Sequence, residues 1–237
     1  MIYLKRLLKL TVIFFIISIA IVLTIHSHLG ASPWDVFHLG LVKHTGLTLG
    51  QVSQVVSLTV ILVGFFIGEI PGVGTIVNMY LIGFYIDKII EYNLIPIATN
   101  PLIQYLMLFS GMYIMGWGVY FYLSIGLGSG PRDALMVGLV KKTNKPVWII
   151  RMSMEGLVLL IGYLLGGLVG IGTLITVLFM GSIIQHCFKV AKSDLALIKQ
   201  RTFVDEYYII KALLQKTEYK ETVKTEQEQE REVINNQ

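Results

Sequence analysis

Two short stretches of this chain carry the residue types best able to hold a charged group. Ser32-Pro33-Trp34-Asp35 and Ser129-Gly130-Pro131-Arg132-Asp133 share one pattern: a small capping residue, Ser32 in the first and Gly130 or Ser129 in the second, then Pro and an acid two residues after it, with Arg132 added in the second. Each is a helix-start signal with a physical cause. The cap serves the free first-turn N–H groups, Pro has no N–H to leave unpaired, and an acid complements the positive helix end. The runs that follow, Val36–Val42 and Ala134–Val140, are apolar but too short to span a membrane. Runs of about 10–14 residues are more often re-entrant or interfacial. Two such helices dipping in from opposite sides would bring two positive ends together, where an anionic group could bind. Asp35 and Asp133 either cap their own helices or, with Arg132, touch a substrate or ion.

A second charged candidate is the pair Arg151 and Glu155, four residues apart on one helix face inside an apolar run. Ionisable groups in a bilayer face a partner or a water-filled path. The two either pair with one another or make a coupling-ion site, and Gln54, Ser57 and Asn78 are the polar companions expected at the substrate site. Gly64/Gly68 and Gly162/Gly166 are GxxxG pairs in apolar spans, read as close helix packing. Gly72-Val73-Gly74-Thr75 and Gly170-Ile171-Gly172-Thr173 are Gly-x-Gly runs that could cradle an anion but lack the rest of a dinucleotide fingerprint. They are read as tight helical hairpins in which Thr75 and Thr173 bond locally.

Other reactive residue types support less. His26, His28, His38 and His44 cluster in sequence without the spacing of a metal site and read as solvated or interfacial, with His186 at an inner span end. Asp87 and Lys88 read as interface residues near a span end, and the lone Cys187 as a buried thiol. No nucleophile stands at useful spacing from a base, so the protein is read as non-enzymatic, with no metal and no cofactor expected.

The elements that must position these residues follow from composition. With 54% hydrophobic and 14% charged residues and a mean hydropathy of +0.70, the chain has more apolar surface than one soluble core could bury, so the lipid bilayer is its expected surroundings. Six spans are predicted near 7–29, 49–69, 72–92, 101–124, 147–167 and 170–190. The net charge of +4 reflects membrane topology, and no basic patch interleaved with aromatics points to nucleic acid. After 190 the chain turns charged. Leu195, Leu197, Ile198, Phe203, Tyr207, Tyr208, Ile209, Ile210 and Leu213 could form a helix on the membrane surface, and the region beyond Thr217 reads as disordered.

The chain also contains itself twice at a shift of 98 residues. The shift carries Gly30 and Asp35 onto Gly128 and Asp133, Gly40-Leu41-Val42-Lys43 onto Gly138-Leu139-Val140-Lys141, and Gly72, Gly74 and Thr75 onto Gly170, Gly172 and Thr173. It also carries residues 12–29 into another span, so the first span is half of a pair and not a cleavable signal sequence. Each unit holds three spans, an odd number, so the second starts on the opposite face from the first, as in the inverted repeats of many secondary transporters. Lys and Arg favour the cytoplasm. An inner N-terminus puts Lys5, Arg6, Lys9, Arg132, Lys141, Lys142, Lys145, Lys189 and Lys192 inside, against Lys43 and Lys88 outside. The expected architecture is therefore an all-α polytopic membrane protein with both termini cytoplasmic. Residues 1–92 form the first repeat, 93–191 the second and 192–237 the tail, and each repeat carries one short Pro-started connector helix.

The Gly-x-x-Pro-x-Asp, Gly-Leu-Val-Lys and Gly-x-Gly-Thr stretches, present in both halves, resemble the YczE/YyaS/YitT group of bacterial integral membrane proteins, with the closest likeness to the YczE branch over about 5–190. The resemblance implies a multi-span protein of the bacterial inner membrane and supplies no substrate or site residues. From the residues, the expectation is a small secondary transporter or exporter with its site between the repeats. The alternative is a membrane scaffold or accessory protein that recruits a partner through its tail. By fold-level analogy alone, a homodimer is an arrangement open to a unit of this size.

Overall fold

A computed structural model describes residues 2–193, 198–209 and 211–212. Its eight main helices are α1 (Ile2–His26), α2 (Pro33–Thr45), α3 (Leu49–Phe66), α4 (Val73–Glu91), α5 (Pro101–Ile125), α6 (Pro131–Thr143), α7 (Val147–Leu164) and α8 (Ile171–Val190). No strand occurs among the described residues. Six helices are long and apolar enough to cross a membrane: Tyr3–His26, Leu49–Phe66, Val73–Glu91, Pro101–Ile125, Val147–Leu164 and Ile171–Val190. These match the predicted spans to within a few residues, except that α1 begins at Ile2, five residues early, and brings Lys5 and Arg6 into its first turns.

Local chemistry explains where each helix starts and stops. Ser32 caps α2 with Pro33 in the first helical position, and Gly46 ends it in the left-handed region at φ 66°. Thr48 and Gln51 cap α3 reciprocally. Asn100 accepts the Leu102 N–H at 2.8 Å to open α5. Asn144 ends α6 at φ 53°, with its N–H donating to the Val140 carbonyl at 2.9 Å.

The Gly pairs of α3 and α7 do not have the expected role. Gly68 and Gly166 lie beyond the helices, at φ +100° and +77°. The Gly68 N–H donates to Phe65 and the Glu69 N–H to Gly64, at 3.0 and 2.9 Å. Gly166 to Tyr163 and Gly167 to Gly162 repeat this at 2.8 Å each. Both are Schellman caps, which need a residue free to adopt positive φ. Of the four glycines, Gly162 alone makes the close approach expected of a packing residue, because a Cβ there would meet the Phe37 backbone at 2.6 Å. A Cβ on Gly64 or Gly68 would meet nothing within 4 Å.

α1 is the centre of the molecule. Leu10, Phe14 and Val22 are fully buried, and α1 packs on both α4 and α5. It lies antiparallel to α5: Thr24 sits beside Gly111, Ile17 beside Gly118, and the Phe14 ring is 6.0 Å from the Tyr122 ring. The packing follows the repeat with the halves exchanged. α1 packs on α4 as α5 does on α8, and α2 packs on α7 as α6 does on α3.

The sharpest correspondence lies at two loop junctions. The Gly74 N–H donates to the Leu127 carbonyl, and the Gly172 N–H to the Leu29 carbonyl, both at 2.6 Å. Shifting either bond by 98 residues and exchanging the halves gives the other. The Gly-x-Gly runs are thus more than hairpins, because each receives a carbonyl from the other half at the first turn of a helix. A Cβ on Gly72 or Gly170 would lie 2.6 or 2.3 Å from that carbonyl oxygen, so both positions need a bare backbone. Thr75 and Thr173 act locally as expected, accepting the Gly72 and Gly170 N–H at 3.2 and 3.3 Å. Thr75 also donates across the junction to the Ser129 carbonyl at 2.7 Å.

One junction carries a further strap. The Gln200 side chain donates to the Leu123 carbonyl at 2.9 Å and accepts the Gly128 N–H at 3.2 Å. The Arg201 N–H donates to Gly126 and the Phe203 N–H to Pro71. Residues 203–209 then form a short helix opened by a Thr202–Asp205 capping box. In it the Thr202 N–H and hydroxyl donate to Asp205 at 2.8 and 2.7 Å and hold that carboxyl below its usual range. The first part of the expected surface helix is therefore an extended strap across the spans. Leu195, Leu197, Ile210, Leu213 and the tail beyond Thr217 lie outside the described residues.

The junction geometry makes a stability prediction. Gly170→Ala overpacks a backbone contact and should cost about 1–3 kcal/mol. Gly181→Ala, where a Cβ would meet nothing within 4 Å, should be neutral within about 0.5 kcal/mol. Thermal unfolding of the two purified variants in detergent compares them, and equal midpoints would contradict the junction.

Candidate functional site

The first turns of α2 and α6 meet. Both begin at a Pro held in the first helical position, and the Arg132 guanidinium of α6 lies 4.6 Å over the Trp34 ring of α2. Asp35, Arg132 and Asp133, expected together from sequence, share one cluster: Asp35 and Asp133 are within electrostatic reach of Arg132, as are Glu155 of α7 and Tyr122 of α5.

Each carboxylate has its own partner. Asp35 is buried and accepts the Ser32 hydroxyl at 2.5 Å, while its backbone N–H donates to the Ser32 side chain at 3.4 Å. The acid and its cap therefore bond reciprocally, the capping role that sequence offered as one of two readings. Asp133 has Gly130 in the cap position and no side chain there to bond. It accepts instead the hydroxyl of buried Tyr122 at 2.6 Å. Tyr122 is a site residue that sequence reading missed. The signal was indirect: the repeat sets Tyr122 at the position of Thr24, a polar residue near the end of the span that precedes the connector in each half.

Arg132 differs from both acids. Among the described residues its guanidinium forms neither an ion pair nor a hydrogen bond, and its residue is only half-buried while Trp34, Asp35, His38 and Tyr122 around it are buried. One face is covered by the indole, a cation–π arrangement, and the N–H fork at its edge has no partner among the described residues.

His38 is the main correction among the histidines. It is 2% exposed and not solvated, because it lies one turn after Asp35 on the face of α2 turned into the protein. Its Nδ1 is 3.8 Å from the Asp35 carboxylate, and its Nε2 has no hydrogen-bond partner among the described residues. His26 donates from Nδ1 to the Ile95 carbonyl at 2.7 Å, in the tautomer that carries the proton there. His28 is exposed at φ 56°. Among the described residues no group of three or more His, Cys, Asp or Glu side chains could hold a metal ion.

The remaining candidates divide. Arg151 donates from Nε to Glu155 at 3.0 Å, so the two pair as one of the two sequence readings had it, with Glu155 on the side nearer Arg132. Gln54 is not in the cluster: its amide donates to the Tyr80 carbonyl at 2.9 Å and clamps α3 to α4. Ser57 and Asn78 are half-buried, and no hydrogen bond or ion pair ties them to Asp35 or Arg132. Asp87 is more than an interface residue. Its carboxylate accepts the Thr48 hydroxyl at 2.5 Å and the Gly50 N–H at 2.7 Å, which fixes the start of α3 on α4. Cys187 is buried, as expected.

Comparison with known proteins agrees with the membrane reading. Residues 4–189 match the model of a family of unknown function, DUF6198. The chain is 39% identical over 175 residues to "Uncharacterized membrane protein YczE" of Bacillus subtilis, covering 72% of this chain and 79% of that one. A protein of Haemophilus influenzae is 33% identical over 163 residues, covering 69% and 74%. YyaS of Bacillus subtilis is 30% identical over 175 residues, covering 73% and 87%. No solved structure matches. The residues from 190 onward, including the strap, lie outside the family match.

Removing the buried Tyr122 hydroxyl leaves a carboxylate oxygen of half-buried Asp133 without its donor. Tyr122→Phe should destabilise the protein by about 1.5–3 kcal/mol, whereas Tyr163→Phe, at a side chain 63% exposed, should change stability by less than about 0.5 kcal/mol. Thermal unfolding in detergent separates them.

Proposed function

This chain belongs to the DUF6198 family, a multi-pass membrane protein with six apolar helices, and from the geometry of its charged cluster we propose that it is a small secondary transporter or exporter. The observation that carries the reading is the meeting of two helix starts, one from each half, around an Arg132 that stacks on Trp34 and, among the described residues, forms no ion pair. Transporters with inverted repeats place their sites where broken helices present their positive ends at the repeat interface.

The rest of the proposal follows from that geometry. The halves, 1–92 and 93–191, are inverted repeats. α2 enters from the outer face and α6 from the cytoplasmic face of the cell membrane, and both termini are cytoplasmic. The exchange of Leu127 and Leu29 carbonyls between halves supports two-fold packing, and the Lys and Arg distribution supports the orientation. The Arg151–Glu155 pair has Ser53 and Ser57 as its counterparts in the first half, so it is where the halves differ most in charge, and Glu155 is the ion-coupling candidate.

A scaffold acting through its tail is the competing reading. The strap at 198–203 is bonded to the spans, so removing the whole tail would also injure the fold. A chain ending after Ala212 keeps the strap. It should keep full gradient-driven flux in sealed vesicles, whereas a scaffold would lose its phenotype.

Orientation is checked by labelling. In a Cys187→Ser background, Leu47→Cys should react with an impermeant maleimide in intact cells and Lys145→Cys only after the membrane is opened. Labelling of both from the same side would contradict the inverted arrangement.

A further inference from the structure

The unsatisfied groups of the cluster indicate what it takes. Asp35 and Asp133 are each spent on a hydroxyl donor, Ser32 and Tyr122. Among the described residues, the groups left over are the Arg132 N–H fork and the His38 Nε2, the latter unpartnered in a side chain 2% exposed. A buried polar atom left unpaired is costly, so such atoms in a folded protein point to a missing partner. A guanidinium fork in fixed orientation matches a carboxylate, which it binds through two parallel hydrogen bonds. Here the orientation is fixed by the Trp34 ring. The first turn of α6 adds to this, because Gly130 gives it no side-chain cap and its N–H end favours negative charge.

Charge balance adds a second condition. The titratable groups around the site are Asp35 and His38 on α2, Arg132 and Asp133 on α6, Tyr122 on α5, and Arg151 with Glu155 on α7. α3, which packs on both connector helices, contributes none. Three carboxylates against two arginines leave one net negative charge. Two helix N-termini of roughly half a positive charge each offset it. These charges together are thus near neutral, and a carboxylate entering alone would leave an uncompensated charge in a low-dielectric interior.

We propose that the site binds the carboxylate of a small organic anion, with Arg132 as its direct partner, and that one proton enters with it and is held by the His38–Asp35 pair. This rests on the transporter reading and names its substrate class. The side chain beyond the carboxylate lies near Trp34 and His38. The His38 ring accepts from a substrate donor or, when protonated, donates to the anion.

The test uses the full chain in lipid nanodiscs. Acetate, lactate and glycine are compared with methylammonium and glycerol by thermal shift, and any ligand that binds is titrated calorimetrically in buffers of different ionisation enthalpy. The expected result is stabilisation by a carboxylate with uptake of about one proton per ligand. Arg132→Gln should weaken binding by about tenfold to a hundredfold, and Lys88→Gln, at an exposed ammonium paired with Glu91 away from the cluster, should leave it within about threefold. Arg132→Lys keeps the charge and loses the fork. It should also weaken binding about tenfold, which keeps the claim testable if Arg132→Gln does not fold. Proton uptake should disappear in His38→Gln while Arg132-dependent binding persists. Stabilisation by methylammonium or glycerol but by no carboxylate would overturn the substrate class and leave the transporter reading standing. Carboxylate binding unchanged in both Arg132 variants would overturn the role of Arg132. No binding of any probe, together with no gradient-driven flux of any solute, would overturn both.

Discussion

The structure depends on a reciprocal exchange of two backbone carbonyls. A loop that leaves a membrane span cannot count on water for its polar groups, and every unpaired backbone group in hydrocarbon costs on the order of several kcal/mol. The first N–H groups of a helix have the same problem from the other side. Here each solves the other. Leu29 gives its carbonyl to the start of α8 and Leu127 gives its own to the start of α4. The partner helix belongs to the opposite half in both cases, so neither half can complete its backbone bonding alone. This exchange sets where α2 and α6 begin, and therefore where Trp34, Asp35, Arg132 and Asp133 lie.

The two-fold pattern is broken in three places, each with a visible cause. α3 packs closely on α4, and α7 does not pack so on α8. In the first half Gly50 lets the backbones approach and Asp87 bonds to the helix start. The shift puts Trp148 and Gln185 there in the second half, and Trp148 is 67% exposed. α7 is accordingly the least covered span, 11% buried against 50% for α1. The Arg151–Glu155 pair stands on that helix. The third difference is the strap, which crosses the junction of 71–74 with 126–128. On the other side, residues 95–98 bond instead to the end of α1, through His26.

Much of this was legible in the sequence, because its physics is local or repeats at a fixed shift. The spans follow from apolar length, and the starts of α2 and α6 from Ser32, Pro33 and Pro131. That Asp35, Arg132 and Asp133 belong together was suggested by their place in two matched Pro-started stretches of the repeat. What was not legible depends on atoms from a distant part of the chain. Nothing near His38 says that its ring is enclosed, and nothing near Tyr122 says that its hydroxyl meets Asp133. The Gly-x-Gly runs looked like hairpins because the carbonyl that fills each cradle comes from the other half. The spacing of Gly64/Gly68 and Gly162/Gly166 imitates a packing motif, but two of the four lie past their helix ends, where positive φ matters more than a small side chain.

The central claim is that the first turns of α2 and α6 meet inside the protein, held there by the two carbonyl exchanges. An experimental density map of the full chain in a lipid nanodisc tests it most directly through the separation of the Arg132 guanidinium from the Trp34 ring. The account predicts contact, near the 4.6 Å found here, with the Leu29–Gly172 and Leu127–Gly74 hydrogen bonds both formed. Helix starts lying on opposite membrane surfaces, separated by the hydrocarbon thickness of roughly 30 Å, would contradict it.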